Sequence, residues 1–530
     1  MLFNSPEFLL IFMPTILAVF LFLKRYQCLN LNIGFLVLGS LVFYGLWEPI
    51  YVLLICSSII FNFYFGKIIS RQPSKSIVGK TLLAFGIFVN LSILAFFKYA
   101  NFFSETYGFL FSQQSYVFEI LLPIAISFFT FQQIAFLVDV FERDAVPESF
   151  LKYALFVTFF PQLLAGPIVH HKDMIPQFNN LVENCKSGWN DLALGSTIFT
   201  IGLLKKVIFA DQMGRWADPF FFAAENGAAL SFLDSWVGLL CFSLQIYFDF
   251  SGYSDMAIGL ARLFGIRIPI NFASPYKAHN VVEFWRRWHI SLSNFLRNYL
   301  YFPLGGNRKG RLRRQLNLFL VMVLGGLWHG SSWTFVFWGL IHGALLSITH
   351  AWQATNLNRK VKLVTNNSKL LSWLLYCSGC LCTFLLVTLA WVPFRADSFE
   401  TAVSIYQSLA GLNGIVLPSQ YEAPLGYLAI ILVKLGVQFG ATTTFGGGWQ
   451  VIWILSLLLL VWGLPNTSQI LETKNEWSSR LERMCSTNCY KINLQTVLPK
   501  LVGISSGLIF LLLTVKLVQG ESGEFIYFQF

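Results

Sequence analysis

The chain has 530 residues, of which 55% are hydrophobic and 12% charged, with a mean hydropathy of +0.61. Soluble domains carry charge on about a quarter of their residues, so this composition excludes an ordinary soluble protein and predicts an integral membrane protein. The formal net charge of +11 does not indicate nucleic acid as a partner, because the lysines and arginines fall in short loops between apolar runs.

Apolar runs that could cross a bilayer, which takes roughly 20 residues, recur along the chain. Several are too short or too polar to be simple spans, and such segments are tolerated at membrane depth only where protein covers their backbone. We therefore expect an all-α membrane protein with about eleven transmembrane helices and further buried or re-entrant helices. The candidate segments are 8–23, 31–48, 50–66, 81–103, 117–140, 152–169, 192–209, 230–247, 253–265, 316–328, 333–350, 371–393, 426–439, 449–464 and 501–517.

The positions of lysine and arginine predict the orientation in the membrane. Lys24 and Arg25 follow the first candidate span and more basic residues follow the third, so both loops are expected in the cytoplasm and the N-terminus outside it. The first span lacks a basic start and a small-residue cleavage site, and we predict that it is retained. The densest basic run, from Arg286 to Arg314, contains no acidic residue and is expected at the cytoplasmic face.

The nine cysteines are scattered, and several lie inside apolar runs, where a thiol packs as a small hydrophobic group. Cys377 and Cys380 form a C-x-x-C pair, but no histidine or second pair is nearby in that run. We predict neither a disulfide framework nor a metal site. The stretches 351–369 and 466–499 carry scattered charges and are predicted to be exposed loops.

The segment 283–301 is predicted to be a half-buried helix, because its large apolar residues recur at steps of three or four. Arg286, Arg287 and His289 lie off that stripe, and two interpretations stay open: contacts with lipid headgroups or part of a functional site. A glycine-rich turn with Asn307 and Arg308 follows. It could cradle a phosphate, although it lacks the spacing of a nucleotide-binding loop.

The stretch 316–343 holds Trp328 and His329 between glycines, which allow helices to approach closely and favour a cavity wall over a lipid face. A histidine at membrane depth is costly unless hydrogen-bonded. His329 is therefore either a catalytic group or a hydrogen-bond partner between helices. His342 is predicted to be structural.

Two acidic residues lie upstream in the apolar stretch 245–255. Asp249 or Asp255 could orient an imidazole or an arginine. The alternative for Asp255 is an N-cap, because a short apolar run follows it.

These motifs together resemble the membrane-bound O-acyltransferase family, and within it the branch of the alginate O-acetyltransferase membrane subunits. The resemblance covers residues 1–350, which we interpret as the catalytic membrane core. The C-terminal helices and loops of 351–530 are similar to the family in their general character. LGGNRKG at 304–310 favours this branch over the D-alanyl transfer branch. The similar stretches are LPIAISFFTFQQIAFLVDVF (122–141), FFPQLLAGPIVHHKDMIPQF (159–178), IYFDFSGYSDMAIGLARLFGI (246–266), NFASPYKAHNVVEFWRRWHISLSNFLRNYLYFPLGGNRKG (271–310) and LGGLWHGSSWTFVFWGLIHG (324–343).

The resemblance implies helices around a central funnel or tunnel in a bacterial inner membrane, with no tightly bound cofactor. It implies that His329 is catalytic, that His289 lies near it and that Asp249 supports the site. The acyl donor would be cytosolic acetyl-CoA. Extracytoplasmic partner proteins would complete the transfer to a polysaccharide acceptor such as alginate.

Acyl transfer from a thioester to a hydroxyl requires a base and a group that stabilises the oxyanion. Burial keeps an imidazole neutral and able to accept a proton, so His329 is the predicted base. We identify no Ser-His-Asp order of the kind that activates a serine nucleophile, and we predict no serine acyl-enzyme. The donor's phosphates are predicted to rest near Arg286, near Arg287 or near the run from Arg308 to Arg314.

Three other functions stay open from the sequence. D-alanyl or other acyl transfer would use the same fold. A polysaccharide or lipid transporter would also place polar groups at membrane depth, although we find no internal repeat. A non-enzymatic scaffold of an envelope complex is the third.

Overall fold

A computed structural model confirms the all-α membrane architecture. It describes residues 1–530 except 115, 165, 182–187, 356–367, 473–493, 521–522, 524–525 and 527–530. The helices up to the middle of the chain are α1 Met13–Lys24, α2 Leu29–Gly45, α3 Ile50–Ser70, α4 Ile77–Leu94, α5 Ala100–Phe111, α6 Ile126–Glu142, α7 Phe150–Thr158, α8 Phe160–Leu163, α9 His171–Asn179, α10 Gly188–Leu204, α11 Asp211–Glu225 and α12 Phe232–Leu263.

The second half continues with helices α13 Val281–Arg287, α14 Ile290–Leu296, α15 Gly310–His329, α16 Trp333–Gln353, α17 Lys369–Arg395, α18 Phe399–Leu409, α19 Glu422–Leu425, α20 Tyr427–Lys434, α21 Gly448–Gly463, α22 Thr467–Glu472 and α23 Leu494–Val518. Strands β1 Ile415–Pro418 and β2 Val437–Gly440 form a small parallel sheet in which Ile415 pairs with Val437. Single π-helical turns occupy Phe8–Phe12, Ala95–Tyr99, Lys205–Ala210 and Arg297–Tyr301.

The chain folds into two compact units. The first comprises Met1–Leu204, Ser251–Asn271 and the described residues from Thr467 onward, and the second comprises Lys205–Phe250 and Phe272–Asn466. The division predicted from the sequence, into a catalytic membrane core over 1–350 and C-terminal helices and loops over 351–530, stays a prediction. In the first unit, buried amides join helices: Asn90 Nδ2 donates to Asn62 Oδ1 at 2.8 Å, and Gln133 Nε2 donates to Ser58 Oγ at 2.8 Å. Such bonds satisfy polar groups that are buried away from water.

In the second unit, α15 and α16 form a close hairpin because glycines face the partner's backbone. A Cβ on Gly326 would lie 2.3 Å from the carbonyl oxygen of Phe335, and one on Gly339 would lie 2.4 Å from that of Met322. Neither distance can accommodate a side chain. The glycines predicted to permit close approach therefore do so here, and they place the end of α15 beside the start of α16.

Several predicted segments differ from the structure. The helix predicted over 283–301 is broken, because His289 adopts the left-handed conformation (φ 42°) between α13 and α14. The short segment predicted over 253–265 belongs to the 32-residue helix α12. Asp255 consequently lies inside that helix and is not an N-cap; its carboxylate accepts a 2.6 Å hydrogen bond from Thr467 Oγ1. The weak candidate 426–439 is helix α20 followed by β2.

Five helical segments in the described part of the chain are long and apolar enough to cross a membrane: Ile50–Ser70, Ile77–Phe111, Asn190–Glu225, Trp333–Gln353 and Lys369–Arg395. Shorter apolar helices cover Phe8–Lys24, Leu29–Gly45, Gly448–Gly463 and Ser505–Val518. The expected number of crossings stays a prediction. Most of the loops predicted over 351–369 and 466–499 lies outside the described residues, and helix α22 and the start of α23 fall within the second of them.

Candidate active site

His329 is the last residue of α15 and is almost fully buried, with 7% of its surface exposed. The helix ends there because Gly330 is extended, and a Cβ on Gly330 would lie 2.1 Å from the ring of Phe335. The His329 ring meets the rings of Trp338 and Phe394 at centroid distances of 5.2 and 5.4 Å. Its imidazole is therefore held in an aromatic wall at the tip of the α15–α16 hairpin.

His289 lies close to His329, with ring centroids 6.4 Å apart. It is fully buried, and its ring packs edge to face on Phe250 at 4.7 Å. A left-handed conformation costs a residue with a Cβ on the order of 1–3 kcal/mol, and such strain is concentrated at functional sites. Trp328 completes the group, with its ring 6.2 Å from that of His289.

Two buried N–H groups, on Trp338 beside His329 and on His342 beside Trp338, have no hydrogen-bond partner within the part of the chain that the structure describes. One is Trp338 Nε1. The other is His342 Nε2; because the Trp285 indole N–H donates to His342 Nδ1 at 3.2 Å, the ring proton of His342 is on Nε2. The His342 ring lies 4.7 Å from that of Trp338. An unpaired donor in an apolar wall is costly, and a substrate oxygen is the kind of group that would satisfy it.

Asp249 belongs to a buried ion-pair triad. The Lys206 ammonium lies 2.7 Å from an Asp249 carboxylate oxygen and 2.8 Å from one of Asp211, and the Lys206 and Asp249 side chains are 3% and 1% exposed. Lys206 lies in the π-helical turn before α11, a type of turn frequent at functional sites. Phe250 directly follows Asp249 in the sequence, and its ring packs against the ring of His289.

Arg287 is half-exposed at the end of α13, and Arg286 is exposed. The Arg287 guanidinium pairs with Glu283 at 2.5 Å, and the backbone N–H of His279 donates to the same carboxylate at 2.9 Å. Partial burial opposes ionisation of Glu283, but these hydrogen bonds outweigh it and lower the pKa of the carboxyl. Arg287 is thus bound within its own helix, while Arg286 faces outward.

Asn307 and Arg308 are exposed in the turn before α15. That turn requires positive φ at Gly305 (105°) and Gly306 (54°), and the Asn317 side chain holds it by donating to the Gly306 carbonyl at 3.0 Å. The 20-residue helix α15 separates the turn from His329 by about 30 Å. Only an extended ligand could contact both ends.

The structure thus brings together His329, His289 and Trp328. It places Asn307 and Arg308 at the other end of α15, and it adds Lys206, Asp211 and Trp338, which our sequence analysis missed. Lys206 carried a signal, since a lysine inside an apolar run must find a partner. No group of three histidine, cysteine or acidic side chains able to hold a metal occurs among the described residues.

The chain is similar to known proteins of one family. The model of the membrane-bound O-acyltransferase family matches residues 75–389. The chain is 43% identical to the peptidoglycan O-acetyltransferase of Helicobacter pylori, over 79% of this chain and 81% of that protein. It is 39% identical to the probable alginate O-acetylase AlgI of Pseudomonas aeruginosa, over 77% of this chain and 75% of that protein. It is 28% identical to the teichoic acid D-alanyltransferase of Streptococcus thermophilus, over 46% of this chain and 60% of that protein.

The family model covers more than half of the 530 residues and includes both histidines and the helices that position them. The relatives named as O-acetylating proteins align over about three quarters or more of both chains. The resemblance stated from the motifs is therefore confirmed, and the chain belongs to the membrane-bound O-acyltransferase family.

Proposed function

We propose that this O-acyltransferase moves an acetyl group from cytosolic acetyl-CoA to a hydroxyl group, with His329 as the general base. The observation that carries the proposal is the buried His329 imidazole, held by Trp338 and Phe394 and 6.4 Å from His289. An aromatic wall excludes water, which limits hydrolysis of the thioester.

The reaction forms one C–O bond and breaks one C–S bond. His329 accepts the proton of the acceptor hydroxyl as its oxygen attacks the thioester carbonyl. The tetrahedral intermediate then expels the CoA thiolate, which takes the proton from His329 and leaves as the thiol. No proton is released overall, so one neutral imidazole serves both steps.

The oxyanion of that intermediate needs hydrogen-bond donors already in place. Trp338 Nε1 and His342 Nε2 are buried N–H groups without a partner among the described residues, and the ring of Trp338 touches that of His329. We assign them as candidate oxyanion donors. One such donor supplies about a hundredfold to a thousandfold in rate.

The donor's phosphates would bind at the basic end of α15, on Asn307, Arg308 and the exposed Arg286, with Arg287 nearby in sequence. Positive charge without acids suits phosphate binding and a cytoplasmic location. The acetyl end of an extended CoA would then reach along α15 toward His329. This orientation places the N-terminus outside the cytoplasm of a bacterial cell with the protein in its inner membrane.

The acceptor would be a polysaccharide outside the cytoplasm, reached through extracytoplasmic partner proteins. Acetyl is preferred over D-alanyl as the acyl group because the relatives with the higher identities are named for O-acetylation, whereas the D-alanyl relative aligns with 46% of the chain. Membership in a family of acyltransferases favours an enzyme over a transporter or scaffold.

The test is acyl transfer by purified protein in nanodiscs supplied with acetyl-CoA labelled in the acetyl group, with and without candidate partner proteins. Label that passes to a partner or glycan from the wild type and not from His329→Ala would support the proposal. Transfer of D-alanine but not acetyl would correct the acyl group. Undiminished transfer by a folded His329→Ala variant would overturn the role of His329.

A further inference from the structure

His342 is fully buried in helix α16, in a cage of aromatic rings. Its imidazole stacks on the Phe284 ring at 6.3 Å with planes 12° apart, and it meets the Trp338 ring at 4.7 Å. The rings of Trp285 and Trp391 lie at centroid distances of 5.2 and 6.4 Å. Close packing of this kind leaves the His342 ring few orientations.

The two nitrogens of the His342 imidazole have different surroundings. Nδ1 accepts a hydrogen bond of 3.2 Å from the indole N–H of Trp285. Nε2 is buried and has no partner among the described residues. A neutral imidazole carries one proton, and the hydrogen bond made by one nitrogen decides which nitrogen holds it. The Trp285 indole therefore keeps the ring proton on Nε2, where it can be donated to a ligand oxygen.

The same hydrogen bond fixes which edge of the His342 ring faces the indole. Rotating the imidazole by half a turn about its Cβ–Cγ bond exchanges Nδ1 with Cδ2, a C–H group, and moves Nε2 to the former place of Cε1. The Trp285 N–H would then lose its acceptor, which disfavours the rotated ring. No other hydrogen bond from the described residues distinguishes the two orientations or the two tautomers.

Trp285 is itself held in place by the packing of α13. One turn of this helix is braced by Glu283, whose carboxylate pairs with Arg287 at 2.5 Å. The Trp285 side chain packs against a buried apolar cluster that includes Met322 of α15 and Leu346 of α16. The indole is therefore fixed relative to the hairpin of α15 and α16.

We infer that Trp285 is a positioning residue of the transfer reaction, whose indole N–H holds His342 in the tautomer and orientation that donate Nε2–H to the oxyanion. This inference rests on the proposed function, in which His342 Nε2 and Trp338 Nε1 are candidate oxyanion donors. His342 and Trp338 lie four residues apart on one face of α16. A donor that is already oriented when charge develops stabilises that charge best, and Trp285 supplies this preorganisation for His342.

Steady-state kinetics of the full chain in nanodiscs, with acetyl-CoA as donor, test this role. Trp285→Phe should lower kcat about tenfold, as expected for one lost hydrogen bond. The KM for acetyl-CoA should stay within about twofold of the wild-type value. This KM is an internal check, because Arg286, the next residue of α13, is an expected contact of the donor's phosphates. Distortion of α13 would therefore raise the KM.

Trp462→Phe is the matched control for the loss of an indole N–H group. The Trp462 indole donates to a backbone carbonyl, that of Tyr276, at 3.1 Å, so its loss should affect stability and leave kcat unchanged. His342→Phe should lower kcat about a hundredfold. In the His342→Phe background, Trp285→Phe should lower kcat no further, because the indole acts through the imidazole.

Nitrogen NMR of protein that carries isotope-labelled histidine gives the tautomer directly. The signals of His342 are those missing from His342→Phe. In the wild type, the proton should be on Nε2, and Nδ1 should show the shift of a hydrogen-bonded acceptor. In Trp285→Phe, the hydrogen bond to Nδ1 should be lost and the signals should report more than one state of the ring.

A ring proton on Nδ1 of His342 in the wild type, or His342 signals unchanged in Trp285→Phe, would overturn the inference. So would a kcat of Trp285→Phe equal to that of Trp462→Phe, a raised KM with unchanged kcat, or an undiminished effect in the His342→Phe background. The proposed function fails separately, if His342→Phe retains the wild-type kcat or if the wild type transfers no acetyl group. Thermal unfolding of each variant identifies losses that come from misfolding.

Discussion

The imidazole of His329 meets the indole of Trp338 edge to face, with ring centroids 5.2 Å apart and planes at 85°. The two residues come from opposite arms of the α15–α16 hairpin, on either side of the turn at Gly330. The glycines of the hairpin make this contact possible, because side chains at Gly326 and Gly339 would force the helices apart. The predicted base is thereby in ring contact with a residue that carries a buried N–H group without a partner among the described residues.

Replacing His329 should remove most of the activity and leave the fold intact. General base catalysis supplies about a hundredfold to ten-thousandfold in rate, so His329→Gln should lower kcat by that factor with acetyl-CoA as donor. His350→Gln, on the same hairpin but far along α16, is the control and should retain activity. A folded His329→Gln variant with more than a tenth of wild-type kcat would contradict the role as base.

Trp338→Phe tests the oxyanion donor, because it keeps an aromatic ring at this position and removes the N–H group. The expected result is a fall in kcat of about a hundredfold with a smaller change in KM. Trp236→Phe is the matched control: its N–H donates to the Leu409 carbonyl at 3.1 Å, so its loss should affect stability and not kcat. Equal kcat values for the two variants would remove Trp338 from the mechanism.

Lys206→Met should destabilise the protein strongly. The substitution leaves Asp211 and Asp249 buried without their cation, and breaking a buried ion pair from one side costs about 3–5 kcal/mol. Thermal unfolding in nanodiscs should show a large loss for Lys206→Met and recovery when Asp211→Asn and Asp249→Asn are added. The exposed Lys309→Met is the control. A triple variant no more stable than Lys206→Met would show that the ion pairs are not the cause.

Asp234, in the first turn of α12, makes the neighbouring loop pH-dependent. Burial opposes ionisation of this carboxyl, but hydrogen bonds from Ser231 Oγ and the backbone N–H groups of Thr444 and Phe445 outweigh it and lower the pKa. A lowered pKa means that the ionised form stabilises the fold fully above the ordinary aspartate value, near pH 4. This stability is lost as the pH falls below that value and through the lower pKa of the folded state.

Hydrogen exchange at Thr444 and Phe445 measures this effect. Exchange of both amides should accelerate as the pH is lowered from 6 to 3, after correction for the intrinsic pH dependence. In Asp234→Asn, both amides should exchange faster at every pH, with a loss of about 1–3 kcal/mol in the free energy of protection. The further acceleration at low pH, the acid step, should be absent from this variant. Glu400→Gln, exposed on α18, should behave like the wild type. An acid step that persists in Asp234→Asn would assign it to another group.

Arg308→Gln should weaken donor binding without changing the chemical step. If the turn before α15 holds the donor's phosphates, the KM for acetyl-CoA should rise severalfold with kcat unchanged, and the effect should shrink at high salt. Arg286→Gln should act in the same way. A KM for acetyl-CoA that neither substitution alters would place the phosphates elsewhere.

Much of the architecture and part of the site could be predicted from the sequence. Composition and apolar run length indicated the membrane class, and the motifs around Trp328 and His329 indicated the family. Boundaries were less certain where polarity is mixed. The predicted helix over 283–301 failed because its periodicity is continuous in sequence, whereas the break at His289 depends on backbone packing in the folded chain.

Local pattern determined that this is a helical membrane O-acyltransferase with His329 and His289 as candidate site residues, because hydrophobic length and motif order are properties of the chain itself. Only the tertiary structure decided which charges meet. Lys206 pairs with Asp249, and Arg395 with Glu225, across long separations in sequence. Such pairs form because an isolated charge in an apolar interior is costly, and which partner lies within reach depends on how the helices pack.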